Sequence, residues 1–369
     1  MKITFLIRAL NLGGAQSQMV LLAQELRKRG HEVSVIAFYD GVHKQALLAS
    51  EVTVHTLKRG RWDVLGFSWR LVKLVRSQSP DILYGYLATC NLLTSLMRPF
   101  NPKTKSVWGV RTANLKLEYY DWLARSLSFI EMRLSGLASL MIVNSQAGRR
   151  HMVAEGIPEK KIVVISNGID HTRFYRDSNA REQTRAAWKV ASDEILIGIV
   201  GRIDPIKEHR IFLRAAYAFR QAYPKARFVC VGETVNQLYQ ESLYELVEDL
   251  QLQQKVLWTG AQDDMLGVYN ALDILTNASS SEGFSNVIGE AMLCAVPCVV
   301  TDVGDSALIV GETGIVIPAN DAAVLMKGWV RCLRQIGQEA AQPARQRIVA
   351  HFSVQEMVER TEAALMAIV

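Results

Sequence analysis

The sequence contains no apolar run long enough to cross a bilayer, so we expect no transmembrane helix. Its first ten residues are apolar, but Arg8 interrupts them and no small-residue cleavage site follows, which favours a first β-strand over a signal peptide. Low-complexity segments and short repeats are also absent. These absences exclude membrane-spanning and repeat architectures and predict a globular protein.

Cysteine is scarce, and the five residues are scattered, odd in number and mostly placed inside apolar runs. This usage favours buried thiols in a reducing cytoplasm over a disulfide framework. Two of the cysteines are four residues apart, but no second Cys or His cluster completes a metal site. The cysteines are Cys90, Cys230, Cys294, Cys298 and Cys332.

The chain has 369 residues, of which 49% are apolar and 21% are charged, and this is enough material for two globular domains. Short β-rich runs alternate with helical segments, a pattern that breaks at the turn-rich stretch "SNGIDHTRF" near residue 167 and then resumes. We therefore predict an α/β fold with two doubly wound, Rossmann-like domains, residues 1–170 and 171–353, and a final helix at 354–369. Facing sheets of this kind would place a ligand in the cleft between them.

The charge is distributed unevenly along the chain. Residues 1–170 carry a net charge of +11, whereas residues 171–369 carry a net charge of −5. A basic first half indicates an anionic partner, and nucleic acid and the cytoplasmic face of a membrane are the two candidates.

The first motif is "GGAQ", Gly13 to Gln16, which follows the first predicted strand and opens a helix. Glycines at such a turn let backbone N–H groups approach a phosphate or a sugar. The sequence lacks the complete G-x-G-x-x-G fingerprint, so a merely tight strand-to-helix turn is the alternative.

The second motif is "GIVGRIDPIKEH", in which Arg202 and Lys207 follow a strand of the second domain. Arginine can bind phosphate through two hydrogen bonds, and lysine adds a point charge, so the two cations suit a diphosphate. No Walker A sequence is present, and ATP hydrolysis is therefore not indicated. The alternative is a solvated loop.

The third motif is "SSSEGFSNVIGEAM", residues 279–292, in which a loop leads into a helix with Ser285 or Asn286 as its N-cap. The first N–H groups of such a helix form an anion site. Glu290, one turn further on, could accept hydrogen bonds from a diol such as ribose, and Glu282 could bind sugar hydroxyls. Two alternatives remain open: a general acid and base pair, as in glycoside hydrolysis, or an ordinary exposed Glu290.

These motifs, together with "SNGID" and the Phe174 that follows it, resemble the retaining glycosyltransferases of family 4, which have the GT-B fold. The order and spacing match over essentially the whole chain, and the Glu-x7-Glu of "EGFSNVIGE" is the most specific feature. The resemblance implies a hexosyltransferase-type enzyme, with a UDP-sugar as the expected donor, and a final helix that crosses back to the first domain. We expect a glycan or lipid-linked acceptor in cell-surface polysaccharide biosynthesis, because the basic first half favours a membrane-linked acceptor.

The resemblance also implies a role for each motif residue. Arg202, Lys207 and Glu282 would be the catalytic residues, with the two cations on the diphosphate and Glu282 on the donor sugar. Glu290 would bind the ribose. The remaining donor-binding residues would be Gly13 and Gly14 at the phosphates, Gly260 near the base, and Phe284, Ser285 and Asn286 through their backbones.

One departure from the family pattern concerns the first domain. Many members carry a histidine near the sugar after a middle strand, but the comparable stretch here is "VWGVRTAN", which contains Arg111 and Asn114 and no histidine. We take both residues as candidate contacts to the sugar or the acceptor. The alternative for Arg111 is a surface-loop arginine.

The implied reaction needs little acid–base chemistry, because Arg202, Lys207 and the helix start would stabilise the charge that develops on the leaving diphosphate. No DxD-like signature is present, so we expect neither a metal ion nor another cofactor. Two other functions stay open: a nucleotide-sugar epimerase of the same fold, and a non-catalytic nucleotide-sugar-binding subunit.

Segments that mix cations with aromatic residues, among them Trp62, Phe67 and Trp69, lie in the basic first domain. Such segments can lie on an anionic membrane, and no nucleic-acid-binding motif is present, so we expect no nucleic-acid partner. We predict a cytoplasmic protein that attaches peripherally to the inner face of the membrane. The alternative is that these aromatic side chains pack against the sheet.

Overall fold

The computed structural model describes residues 1–58, 60, 63–111, 133–234, 236–335 and 341–369. These residues form two compact units. The first unit comprises Met1–Gly168 together with Val354–Val369, and the second comprises Ile169–Ser353. Each unit has its own hydrophobic core around a parallel sheet.

The described strands of the first unit form a seven-stranded parallel sheet in the order β3-β2-β1-β4-β5-β6-β7. The order reverses between β1 and β4, as in a doubly wound sheet. Strands β4, β5 and β6 are buried along almost their whole length, which explains their continuous apolar runs, whereas β3 at the sheet edge has no buried residue. They are β1 Lys2–Ala9, β2 Glu32–Tyr39, β3 Thr53–Thr56, β4 Ile82–Tyr86, β5 Lys105–Val110, β6 Leu140–Val143 and β7 Ile162–Val164.

The helices of the first unit cover this sheet through their apolar faces. In α1, Met19, Leu22, Ala23 and Leu26 recur at spacings of three and four residues and are all buried, so the helix presents one apolar stripe to the sheet. The described helices up to residue 168 are α1 Gly14–Lys28, α2 His43–Ala49, α3 Val64–Gln78, α4 Ala88–Leu96 and α5 Gln146–Ala154.

The second unit repeats this architecture with a six-stranded parallel sheet in the order β10-β9-β8-β11-β12-β13, counted in the described residues. Its order reverses between β8 and β11, so the loops after these two strands begin side by side at the switch point. The strands are β8 Ile195–Val200, β9 Ala226–Val231, β10 Val256–Gly260, β11 Ile274–Asn277, β12 Cys298–Thr301 and β13 Ile315–Ile317.

Amphipathic helices flank the second sheet. In α7, buried Phe212, Ala216 and Phe219 pack on the strands, and Phe212 and Phe219 both meet the ring of Trp329 edge-on. The α-helices that the structure describes in this unit are α6 Ser178–Ala187, α7 His209–Ala222, α8 Gln237–Asp249, α9 Met265–Ala271, α10 Asn286–Leu293, α11 Ser306–Val310, α12 Ala322–Gln335 and α13 Ala341–His351.

The last helix, α14 (Val354–Met366), belongs to the first unit, although it follows the second unit in sequence. It packs against α1, and buried residues of α14, among them Leu365, join the core of the first sheet. Glu362 accepts hydrogen bonds from Arg29 at 2.9 Å and pairs with His31 at 2.6 Å. The two unit boundaries therefore lie at residues 168/169 and 353/354.

Candidate active site

The loops after β8 and β11 meet at the switch point of the second sheet. The backbone N–H of Ser280 donates to the carbonyl of Ile206 at 2.8 Å, and Lys207 forms an ion pair with Glu282. Two of the predicted catalytic residues, 75 positions apart in the chain, are thereby in direct contact. The carboxyl ends of the two strands thus supply one continuous polar site.

Glu282 is held by more than the lysine. The buried hydroxyl of Ser279 donates to Oε1 of Glu282 at 2.8 Å, so the carboxylate has a fixed orientation in its loop. Lys207 and Glu282 are both largely shielded from water, and removal of either charge would leave the other without its partner. If Lys207 breaks the ion pair to bind a phosphate, Glu282 needs other hydrogen-bond donors. Sugar hydroxyls are suitable donors for it.

Glycines form the rim beside this pair. Gly201, Gly232 and Gly260 end or directly follow three adjacent strands, and each has a positive φ, between 67° and 143°. A Cβ at Gly232 would lie 2.0 Å from the carbonyl oxygen of Gly201, so this close approach requires glycine. The rim therefore carries no side chains at these three positions, and a flat ligand group can approach its backbone. One of the three is Gly260, the predicted base-binding residue.

Arg202 lies beside this rim and differs from Lys207 in its surroundings. Its side chain is exposed, and within the described residues it makes no hydrogen bond or ion pair. An unpaired guanidinium at the carboxyl end of β8 can bind an incoming phosphate without breaking an internal contact.

The helix α10 begins at the predicted position, with Ser285 as its N-cap residue and Asn286 as its first residue. Ser285 does not cap the helix with its side chain, because its hydroxyl accepts a hydrogen bond from Nδ2 of Asn277 at 2.7 Å. Phe284 is buried and packs against Phe352 with ring centroids 5.4 Å apart. These two contacts hold the start of α10 in place.

Glu290 lies on α10, and the hydroxyl of Tyr269 donates to its Oε2 atom at 2.5 Å. Burial raises the pKa of Glu290, while the Tyr269 hydrogen bond and the positive charge of Arg173 oppose that rise. Tyr269 is fully buried, and this burial together with the neighbouring carboxylate raises its pKa well above the usual value. Glu290 is thus an oriented acceptor, and sequence reasoning missed the tyrosine that orients it.

His209 is a second residue that sequence reasoning missed, although it stands in the quoted motif. It is the first residue of α7, it is fully buried, and neither ring nitrogen has a hydrogen-bond partner within the described part of the chain. Desolvation and then the charge of Lys207 lower the pKa of His209 to about 4. At neutral pH this residue is therefore an uncharged packing neighbour of the site.

In the first unit, Gly13 and Gly14 lie at the start of α1, as predicted from the "GGAQ" motif. A Cβ at Gly13 would lie 2.4 Å from Oε1 of Gln16, so the absent side chain leaves room for Gln16 to fold back over the turn. The contact of Gly13 and Gly14 with the phosphates stays a prediction.

Arg111, directly after β5, is not a surface-loop arginine. Its guanidinium donates to Asn167 at 3.2 Å, to the hydroxyl of Tyr84 at 3.3 Å and to that of Tyr86 at 2.5 Å. The two tyrosines are fully buried, and the guanidinium lies 4.5 Å from the centroid of the Tyr86 ring. The other candidate in this stretch, Asn114, lies outside the described residues.

Groups of three or more His, Cys, Asp or Glu side chains that could hold a metal ion do not occur in the part of the chain that the structure describes. The five cysteines are all free and buried, as predicted from their apolar surroundings. Asp264, an acid from the loop before α9, caps that helix by accepting from the N–H of Gly267 at 3.0 Å.

The chain is similar to known proteins in both of its halves. Residues 12–173 match the family described as "Glycosyltransferase Family 4", and residues 194–335 match "Glycosyl transferases group 1". A D-inositol 3-phosphate glycosyltransferase of Corynebacterium urealyticum is 27% identical over 217 residues, 56% of this chain and 50% of the relative. The chain spans about half the length of several curated relatives that it matches.

A longer match is the N-acetylgalactosamine-N,N'-diacetylbacillosaminyl-diphospho-undecaprenol 4-alpha-N-acetylgalactosaminyltransferase of Campylobacter jejuni, 25% identical over 312 residues, 82% of this chain and 80% of the relative. Among solved structures, Anabaena HepE in complex with UDP-glucose superposes with a TM-score of 0.89 at 22% identity and full coverage of both chains. Two doubly wound units and these matches confirm the predicted fold. The two family matches together span most of the chain, so both halves are similar to glycosyltransferases, and the chain has the GT-B fold.

Proposed function

We propose that this glycosyltransferase moves a sugar from a UDP-sugar to a glycan or lipid-linked acceptor, with retention of the anomeric configuration. The observation that carries the proposal is the contact of Lys207 with Glu282, which joins the two switch-point loops into one site. The Anabaena structural neighbour binds UDP-glucose, and the names of both relatives describe acceptors that carry phosphate. The diphospho-undecaprenol acceptor in the name of the Campylobacter relative supports a lipid-linked acceptor in cell-surface polysaccharide synthesis.

In the proposed complex, the diphosphate lies between Arg202, Lys207 and the N-terminal turn of α10. Glu282 accepts hydrogen bonds from the transferred sugar, which frees Lys207 from its ion pair. Glu290 accepts from the ribose, and the base lies on the glycine rim near Gly260. This order follows the positions of acceptors and donors in the second unit.

The chemical step breaks the bond between the anomeric carbon and the diphosphate oxygen, and the electron pair leaves with the diphosphate. Arg202, Lys207 and the α10 N–H groups stabilise that charge, so the step needs no metal ion. The acceptor hydroxyl forms the new bond to the anomeric carbon. Because retention places this hydroxyl on the face from which the diphosphate departs, a diphosphate oxygen is the nearest base for its proton.

A donor-consumption assay over a panel of nucleotide sugars tests this proposal. We expect one UDP-sugar to be consumed, with release of UDP, at a rate that excess EDTA leaves unchanged. Full activity in both Lys207→Ala and Glu290→Ala would contradict the assigned roles. Conversion of the donor into its epimer without UDP release would establish the epimerase alternative, and UDP-sugar binding without turnover, with acceptor preparations present, would establish a binding subunit.

We further propose that the first unit contacts an anionic membrane through one face of α3. Leu65 and Trp69 are 87% and 65% exposed and lie one helical turn apart, with Lys73 a further turn along the same face. The Lys73 ammonium lies 5.3 Å from the Trp69 ring centroid. Phe67 instead packs in the core, as the packing alternative predicted for such aromatics, and Trp62 lies outside the described residues.

An exposed apolar pair flanked by cations suits the interface of an anionic bilayer. None of the helices that the structure describes has both the length and the apolar character needed to cross a membrane. Flotation with phosphatidylglycerol liposomes at low salt tests the contact. We expect Leu65→Gln/Trp69→Gln to lose flotation, and the matched change Leu238→Gln, at a 78% exposed leucine of the second unit, to keep it. Equal flotation of the two variants would contradict the assignment to α3.

A further inference from the structure

We propose that Arg111 binds a phosphate group of the acceptor, at a cluster of hydrogen-bond donors formed by Arg111, Tyr84, Tyr86 and Asn167. The cluster lies within the first unit, at the carboxyl ends of β4 and β5, where doubly wound sheets bind their ligands. That the phosphate belongs to an acceptor rests on the proposed function. The preference of the cluster for an anion rests on its own geometry.

The donors of the cluster outnumber its acceptors. A guanidinium carries five N–H groups and no acceptor. Three of the N–H groups of Arg111 are used, one by each of the neutral oxygens of Asn167, Tyr84 and Tyr86. Its Nε atom is sealed from solvent and has no acceptor among the described residues. The hydroxyl oxygens of Tyr84 and Tyr86 each accept one of these hydrogen bonds, and their own O–H groups are further donors.

The positive charge of the cluster also has no counter-ion. Every acceptor of Arg111 that the structure describes is neutral, and no ion pair joins this residue to a carboxylate in the described ranges. The face of the Tyr86 ring, 4.5 Å away, offsets part of the desolvation cost of the cation but supplies no negative charge. A partly buried, uncompensated cation stabilises an anionic ligand.

The guanidinium is held rigidly, which lowers the entropy lost on binding. Tyr84 stacks on Phe5 with ring centroids 5.2 Å apart. Gly109 leaves the space that both phenol rings occupy, since a Cβ there would lie 3.1 Å from the Tyr84 ring and 3.2 Å from the Tyr86 ring. Phosphate, with more acceptor oxygens and more charge than a carboxylate, is the anion that best matches a rigid excess of donors.

Phosphate binding to the UDP-saturated full chain tests this inference, because UDP occupies the cations of the second unit. We expect saturable binding of inorganic phosphate and of a short isoprenyl phosphate by calorimetry. Arg111→Gln should weaken both by about tenfold or more, and Arg111→Lys should weaken them less. The matched variant Arg98→Gln, which removes an exposed arginine of the same unit that donates to a backbone carbonyl, should bind as the unchanged protein does.

Three results would overturn the inference: no phosphate binding, equal binding by Arg111→Gln and Arg98→Gln, or Arg111-dependent binding of glucuronate but not of phosphate. Resistance of residues 1–168 to limited proteolysis reports whether the first unit of each variant is folded, and Arg111→Lys keeps the test open if Arg111→Gln fails to fold. If the protein turns over its donor but its phosphate binding does not depend on Arg111, this inference is wrong and the proposed function stands. Arg111-dependent phosphate binding without donor turnover would remove the proposed function alone.

Discussion

The hydroxyl group of Tyr269 donates a 2.5 Å hydrogen bond to Oε2 of Glu290, and this contact fixes the carboxylate on the first turns of α10. Tyr269 is itself held by Phe174, whose ring meets it edge-on with centroids 5.7 Å apart. Within the described residues no second hydrogen bond reaches this carboxylate, so Oε1 is the oxygen that we propose accepts from the ribose. The buried tyrosine therefore acts through Glu290 and is a positioning residue for the proposed ribose contact.

We expect Tyr269→Phe to reduce discrimination between ribose and deoxyribose. If Glu290 accepts from the 2′-hydroxyl, the unchanged protein should bind UDP about tenfold more tightly than 2′-deoxy-UDP. Without the tyrosine hydroxyl the carboxylate is less well oriented, and this ratio should fall several-fold in calorimetric titrations. Tyr244→Phe, which removes an exposed hydroxyl bonded to Gln240, is the matched control. An unchanged ratio in Tyr269→Phe would refute the positioning role.

Lys207 and Glu282 should have separable effects although they form one ion pair. Lys207→Met removes a cation from the proposed diphosphate site, and we expect turnover to fall by about 100-fold to 1,000-fold and UDP affinity to fall as well. Glu282→Gln should lower turnover but leave UDP affinity equal or higher, because Lys207 then loses its competing carboxylate. Steady-state rates and UDP titrations measure both effects. Parallel losses of UDP affinity in the two variants would count against the assignment of Glu282 to the sugar.

Gly304 lies against the backbone of the loop that contains Glu282, and we expect Gly304→Ala to displace that loop. A Cβ at Gly304 would lie 2.4 Å from the carbonyl oxygen of Glu282, and its φ is +60°. Gly30 provides the control, since its φ is +86° but nothing lies within 4 Å of a Cβ there. Both variants should lose about 1–2 kcal/mol of stability through strain. Only Gly304→Ala should also lose donor turnover, by about tenfold, and equal turnover in the two would disprove loop displacement.

The buried His209 should make the second unit sensitive to acid. Its folded-state pKa of about 4 lies below the usual histidine value of 6.5, so the unfolded chain binds a proton that the folded chain does not as pH falls. The contribution of His209 to the free energy of unfolding is fully present above about pH 6.5. It falls by about 3 kcal/mol as the pH decreases from there to about pH 4. His209→Leu should flatten this dependence in urea unfolding at pH 7 and pH 4.5. Parallel pH profiles of the two proteins would show that His209 is not responsible.

Much of the fold could be predicted because the longer strands are locally recognisable. The run "ILIGIV" is continuous and apolar, as a strand buried on both faces requires, and it forms β8. The turn residues near position 167 likewise indicated where one unit ends. Strands β7 (Ile162–Val164) and β13 (Ile315–Ile317) lack such a local signal. Each has three residues and lies at the edge of its sheet. Three residues are too few to show a hydrophobic period, so each segment is recognised as a strand only through its pairing with the neighbouring strand.

The residues of the candidate site were predictable only where a motif contains them. The motifs singled out Lys207 and Glu282, but their contact spans 75 positions and has no local signal. Tyr269 lies 21 residues before Glu290 in an ordinary apolar helix, and nothing in that helix distinguishes a tyrosine that binds a carboxylate from one that fills the core. The sequence likewise does not predict that Tyr84 and Tyr86 bind Arg111. Both tyrosines occupy alternate positions on a buried strand, where an aromatic residue is expected simply to fill the core.

The first unit is discontinuous, and this has a consequence for biosynthesis. Helix α14 contributes core residues to the first sheet, but the ribosome makes it after every residue of the second unit. Nascent chains stalled before residue 354 should therefore protect residues 169–353 from protease while residues 1–168 remain susceptible. The unit that is translated first is then the last to complete its fold.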